Sequence, residues 1–110
     1  MMKHYRLKTT GYTPVSHNPE IKKKVLVEGG FSCVKHLSHV VLRPGDTAIE
    51  HSHPDASEVF YCIRGQVEFV VSGSPVTLKG GSCLVVEPGE VHSIATVREE
   101  TELIYMLAAG

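Results

Sequence analysis

No stretch of this 110-residue sequence is apolar for long enough to cross a membrane as a helix. The longest unbroken apolar run, Leu103 to Ala109, has seven residues, where a helical span needs about 20. Charge of one sign is not in excess either. Eleven Lys and Arg stand against twelve Asp and Glu, a net charge of −1, which leaves no electrostatic footprint for nucleic acid or an anionic membrane surface. Cysteine is scarce and odd in number, at positions 33, 62 and 83 with no Cys-x-x-Cys spacing. That speaks against a disulfide framework and for a reducing, cytoplasmic setting. The basic start, Met1-Met2-Lys3-His4-Tyr5-Arg6, has no apolar stretch behind it and does not read as a secretory signal. Helical periodicity is missing as well, since no window sustains an i, i+3, i+4, i+7 apolar stripe. What remains is one domain of ordinary composition, 42% hydrophobic and 21% charged, able to bury about two-thirds of its unfolded surface in one core.

Short β-rich runs take the place of helices: Val25 to Val27, Cys33 to Leu42, Glu58 to Ile63, Val67 to Val71, Val76 to Leu78, Cys83 to Val86, His92 to Val97 and Leu103 to Leu107. Turn chemistry separates them, as in Arg43-Pro44-Gly45-Asp46, Arg64-Gly65 and Glu87-Pro88-Gly89. About eight short strands with tight turns predict an all-β sandwich or small β-barrel. Residues 1–24 are the least patterned and are expected as an N-terminal arm or edge strand, with a single barrel over 25–110. Lys22-Lys23-Lys24 is read as a solvated edge. Val67, Phe69 and Val71 alternate with Gln66 and Glu68, giving one wet face. From Glu58 to Ile63 both parities are apolar, so the outer face of that strand needs a cover, either the arm or a second subunit. A homodimer is the expectation.

Histidine is abundant, at seven of 110 residues. His51 and His53, two apart on an extended segment, point to one face about 7 Å apart at the backbone. Their imidazoles can converge on one ion at metal–nitrogen distances of about 2.0–2.2 Å. Pro54-Asp55 interrupts the strand and resets its parity, so Glu58 on the returning strand can reach the same point. Asp46 and Glu50 are competing carboxylates, though no turn obviously aims either of them inward. His92 sits on a second turn-and-strand unit after Gly81 and Glu87-Pro88-Gly89. In a closed β architecture that unit can face the first across the interior. Three neutral imidazoles and one carboxylate suit iron, manganese, nickel, cobalt or zinc rather than calcium. In octahedral geometry they leave two positions open.

These two units resemble the paired motifs of the cupins, small β-barrel proteins. The first cupin motif is Gly, five residues, His-x-His, three or four residues, Glu, six residues, Gly. Gly45, His51, His53, Glu58 and Gly65 fit every fixed position. In the second motif Gly81, Gly89 and His92 match, while Glu87 stands in place of a Pro and Thr96 in place of an Asn. The resemblance, to a small single-domain cupin over roughly residues 32–108, implies a jelly-roll, or double-stranded β-helix. It also implies one divalent transition metal held by His51, His53, Glu58 and His92. For activity it implies only a range: dioxygenases, isomerases, decarboxylases, cyclases, sugar-binding modules and sensory domains.

The leading expectation is a metal-dependent enzyme on a small oxygenated or anionic substrate, with Glu58 as ligand and, if it dissociates, as catalytic base. Inward candidates Phe60, Cys62, Val67, Phe69 and Val71 predict a mostly apolar pocket without an Arg or Lys clamp. That favours oxygenase-type chemistry over sugar-phosphate isomerisation. The alternatives are a non-catalytic ligand-binding or sensing module and a metal-dependent isomerase or decarboxylase. His36 and His39, three apart, face opposite sides and are read as surface or core packing, ahead of the alternative that one lines the pocket as a proton shuttle. Cys62 reads as a small buried hydrophobe, Tyr61 and Tyr105 as packing residues, and His4 and His17 carry little weight.

Overall fold

The computed structural model describes residues 2–27 and 29–109. Ten strands account for the fold: β1 (Thr13–Val15), β2 (Asn18–Val27), β3 (Val34–Leu42), β4 (Ala48–His51), β5 (Ala56–Arg64), β6 (Gln66–Val71), β7 (Ser74–Lys79), β8 (Cys83–Val86), β9 (His92–Val97) and β10 (Thr101–Ala109). Among the described residues there is no α-helix, only a 3-10 turn at Leu7–Thr9. Every run expected from the sequence falls on a strand, except that Cys33 sits in the turn before β3, and β1 and β4 are additions. The segment through Lys24 contains β1 and the first part of β2.

The strands form a six-stranded sheet in the order β1-β2-β3-β10-β5-β8 and a four-stranded sheet in the order β4-β9-β6-β7. All pairings are antiparallel. The two inner faces enclose one core, in the expected all-β jelly-roll barrel. Alternation sets which residues enter it. Val67 and Phe69 on β6, Phe60 and Cys62 on β5, and Leu103 and Tyr105 on β10 are buried inside.

One end of the barrel is solid. There Cys62, Val67, Leu78, Val97 and Thr101 pack behind the β5–β6 turn. Gly65 makes that turn possible. Its φ is +91°, and a Cβ would lie 2.5 Å from the Glu100 carbonyl oxygen and 2.7 Å from the Thr101 Cα, closer than any side chain can be accommodated. The fully buried Thr101 hydroxyl accepts the Gln66 N–H at 3.0 Å, so this end is pinned by polar contacts as well as packing.

On the outer face of β5 the arm, one of the two covers expected, is not in place. Tyr61 and Ile63 are 43% and 42% exposed, left uncovered by the described residues. The arm cannot cover them, because β1 pairs with β2 at the opposite edge of the sheet from β5 and β8. Apolar side chains at both parities record a hydrophobic outer surface here, not burial within the chain.

Candidate metal centre

The other end of the barrel is open and polar. β4 and β9 place His51 directly opposite His92 in register, with ring centres 4.1 Å apart. His53 follows the end of β4, where its carbonyl accepts the Gly89 N–H at 2.8 Å and ties the loop to the turn before His92. That turn is closed by the Glu90 carboxylate accepting the Glu87 N–H at 2.9 Å. A carboxylate therefore holds the turn where Glu87 replaces the motif proline. Glu58 enters from β5 in the other sheet.

One carboxylate oxygen sits at the centre. Glu58 Oε1 is 2.8 Å from His92 Nε2, 3.5 Å from His53 Nε2 and 3.9 Å from His51 Nε2. A donor atom from each of the four residues lies within 4.8 Å of every other. Two ligands on an ion at about 2.1 Å stand about 3 to 4 Å apart, which is the spread seen around Glu58. Asp46 and Glu50 are not part of the cluster: Asp46 caps the Arg43 N–H at 2.8 Å, and Glu50 is exposed.

The hydrogen bonds orient the rings. His51 Nδ1 is 3.0 Å from the Ile49 carbonyl oxygen and His92 Nδ1 is 3.1 Å from that of Glu90. A carbonyl only accepts, so each Nδ1 donates and each Nε2 is left facing Glu58. With the rings neutral, those Nε2 lone pairs can ligate a cation beside the carboxylate, whereas a protonated His92 donates to Glu58 at 2.8 Å. Among the described residues His53 Nε2 is buried with no hydrogen-bond partner, a cost that coordination to an ion removes. The donor set fits a divalent transition metal.

Burial pushes the Glu58 pKa up, but the imidazoles of His51 and His92 turned toward it, together with the charges of His92 and His53, outweigh this and bring it down to about 2. Burial pulls His92 down, yet its contact with Glu58 and the Glu90 carbonyl leave it above the ordinary histidine value. Anion and imidazole stabilise each other.

A cavity of about 110 Å³ opens on the cluster, room for several water molecules. Phe60, Phe69, Leu42, Leu103 and Ile94 make its wall largely apolar. Phe60 and Phe69 were anticipated there, whereas Cys62, Val67 and Val71 are not among its lining residues. Cys62 is fully buried, its Sγ faces the Arg64 carbonyl at 3.3 Å, and burial raises its pKa, so it packs as a small hydrophobe.

Residues 38–108 match the family model for the cupin domain. The chain belongs to the cupin family. Within this cupin, the tetracenomycin polyketide synthase protein TcmJ of Streptomyces glaucescens is 36% identical over 58 residues, 53% of this chain and 39% of that protein. Quercetin 2,3-dioxygenase of Bacillus subtilis is 32% identical over 66 residues, 60% of this chain and 20% of that protein. The chain thus spans well under half the length of these curated relatives. A structure described as a predicted oxalate decarboxylase from Thermotoga maritima superimposes with a TM-score of 0.86 at 19% identity, covering 98% of this cupin and all of that chain. At that identity the likeness establishes the fold.

Three cavity residues differ from the sequence reading. His17, given little weight, stacks on His51 with ring centres 3.7 Å apart and planes 14° from parallel. Burial, then the charges of His51 and His53, hold its pKa below the ordinary value. The β1–β2 connection delivers it, a long-range contact with no local sequence signal. His36 lines the cavity and hydrogen-bonds Ser38 Oγ at 3.0 Å. His39 faces outward and pairs with Glu102 at 2.7 Å. Lys23, expected on a solvated edge, is in the cavity wall, which corrects the expectation of a pocket without a basic residue. No helix among the described residues is long and apolar enough to cross a membrane.

Proposed function

We propose that this cupin holds one divalent transition metal through His51, His53, Glu58 and His92 and is a metal-dependent enzyme acting on a small oxygenated or anionic substrate, with oxygenase-type chemistry. The observation that carries the proposal is the buried, unpartnered His53 Nε2 beside a carboxylate that faces three imidazoles. Bound there, the ion would supply Lewis acidity and, as iron, a means of using dioxygen. The protein's own residues do the rest. The Ile49 and Glu90 carbonyls fix the His51 and His92 rings, and Glu58 keeps its negative charge down to strongly acidic pH. Glu58 serves as ligand and, if it dissociates from the ion, as base. Phe60, Phe69 and Leu103 give the cavity an apolar lining. The oxygenase preference draws on this apolar wall and on the similarity to a quercetin dioxygenase.

The test is metal content of protein purified without chelators, beside a His51→Ala, His92→Ala double variant. About one iron, manganese, nickel, cobalt or zinc per chain, lost in the variant, is expected, with dioxygen consumption screened next if the ion is iron. No stoichiometric metal after anaerobic reconstitution overturns the enzyme reading and leaves a ligand-binding module. The exposed Tyr61 and Ile63 on β5, together with Val85 on the edge strand β8, further support a homodimer through this face. A solution mass of 12.0 kDa, that of the single chain, overturns it.

A further inference from the structure

The three consecutive lysines of β2 have separate fates. Lys22 hydrogen-bonds the Pro19 carbonyl at 2.9 Å. Lys24 reaches the Leu7 carbonyl at 2.9 Å, its ammonium 4.7 Å from the centre of the Tyr12 ring. Lys23 shares the parity of Ile21 and lies opposite Val40 in register, and both of those residues are buried. Its side chain therefore belongs to the inner face. The ammonium lies 5.9 Å from the centre of the Tyr105 ring.

Among the described residues Lys23 has no hydrogen-bond or ion-pair partner. Burial lowers its pKa, and only the Glu58 carboxylate acts in the opposite direction. Among the described residues Lys23 is the one lysine or arginine lining the cavity, and Glu58 the one acid. Glu58 contributes one negative charge, a divalent ion two positive charges and Lys23 one more. The cavity is then left with two uncompensated positive charges in a largely apolar wall. A half-buried ammonium without a partner costs the folded chain free energy, and an anion that reaches it recovers that cost.

We infer that Lys23 is the anion-binding residue of this cavity and that its ligand is a small carboxylate, held by its carboxylate at Lys23 with its remaining oxygen atoms toward His51, His53, Glu58 and His92. The second contact and the charge count rest on the metal-dependent reading above; the unpartnered ammonium in the cavity wall does not. The neighbours suit this role. Burial raises the Tyr105 pKa, so its hydroxyl stays a donor. Burial and then the Lys23 charge lower that of His36, so its ring is neutral and does not compete for the anion. A phosphate would want a guanidinium fork or several cationic donors, where Lys23 is the single lysine or arginine that the described residues place in this wall.

The experiment is calorimetric titration of malonate into the zinc-loaded and the metal-free full chain, with uncharged malonamide and inorganic phosphate alongside. Wild type, Lys23→Met and Lys23→Arg are compared, with metal content measured on each. Saturable malonate binding is expected, weakened about tenfold or more in Lys23→Met and largely kept in Lys23→Arg, because a charge-assisted hydrogen bond is lost in the first alone. Metal content should match wild type in both variants, and Lys23→Met, relieved of the unpartnered ammonium, should be at least as heat-stable as wild type. Equal malonate affinity in wild type and Lys23→Met overturns the inference, as does malonamide or phosphate binding as tightly as malonate, or no saturable malonate binding in either form. Normal metal content with a malonate affinity indifferent to Lys23 sinks this inference alone. A Lys23-dependent malonate affinity without stoichiometric metal sinks the metal reading and keeps the anion site.

Discussion

Replacing Glu58 by glutamine tests whether the centre of the cluster is electrostatic. Only 6% of Glu58 is exposed, and its pKa falls from 4.5 to about 2 in the folded, metal-free chain. A carboxylate with a depressed folded pKa contributes stability that is fully present above its unfolded pKa. That contribution is lost as the pH falls through the folded value. The window therefore runs from about pH 4.5 to about pH 2. At about 1.4 kcal/mol per pH unit, the contribution is on the order of 3 kcal/mol, a large part of the roughly 5–15 kcal/mol that holds a domain together. The assay is urea unfolding of metal-free wild type and Glu58→Gln at closely spaced pH values from 6 to 2. Glu58→Gln should be the less stable at pH 6, and the two curves should converge as the wild type is protonated. Glu100 and Glu102 also have lowered pKa values through Arg64 and His39, but they are shared by both proteins and leave the difference untouched. A gap that stays constant from pH 6 to pH 2 refutes the reasoning, because Glu58 would then act through packing rather than charge.

His17→Ala should retain the metal stoichiometry of wild type yet lose the ion to a chelator about 2- to 10-fold faster, the factor expected from removing one stacked aromatic contact. An unchanged rate means that His17 does not shield His51. Tyr61→Lys should lower the solution mass measured by light scattering toward 12.0 kDa while leaving the circular dichroism spectrum intact, since surface substitutions cost less than about 0.5 kcal/mol in folding. A mass unchanged from wild type removes the β5 face from the proposed dimer.

Most of the barrel could be read because its turns are written in Gly and Pro and its core strands alternate cleanly, as Val67 and Phe69 do against Gln66 and Glu68. The cluster was legible for a related reason: His51, His53 and Glu58 lie within eight residues, and His92 follows a turn of the same kind. β4 was harder to see because its one large apolar residue, Ile49, is 70% exposed, so its pattern runs opposite to that of a core strand. Lys23 was misread because a charged residue at an inward parity looks, in sequence, like one on an edge. Tyr61 and Ile63 show the converse: apolar side chains do not say whether their cover lies in the same chain. His17 depends on a hairpin that carries it to His51, a contact across 34 positions that local pattern cannot encode.

The contact between Glu58 and His92 joins residues 34 positions apart and, more to the point, joins the two sheets. At the opposite end of the barrel the sheets adhere through a dry core and the Thr101–Gln66 bonds, which ask nothing of the solvent. At the mouth they are fastened by ionisable groups whose attraction depends on proton activity and on any ion present. The barrel therefore resembles a clasped purse: its seam is permanent, while its opening is held by a fastening that chemistry can tighten or release without unpicking the seam.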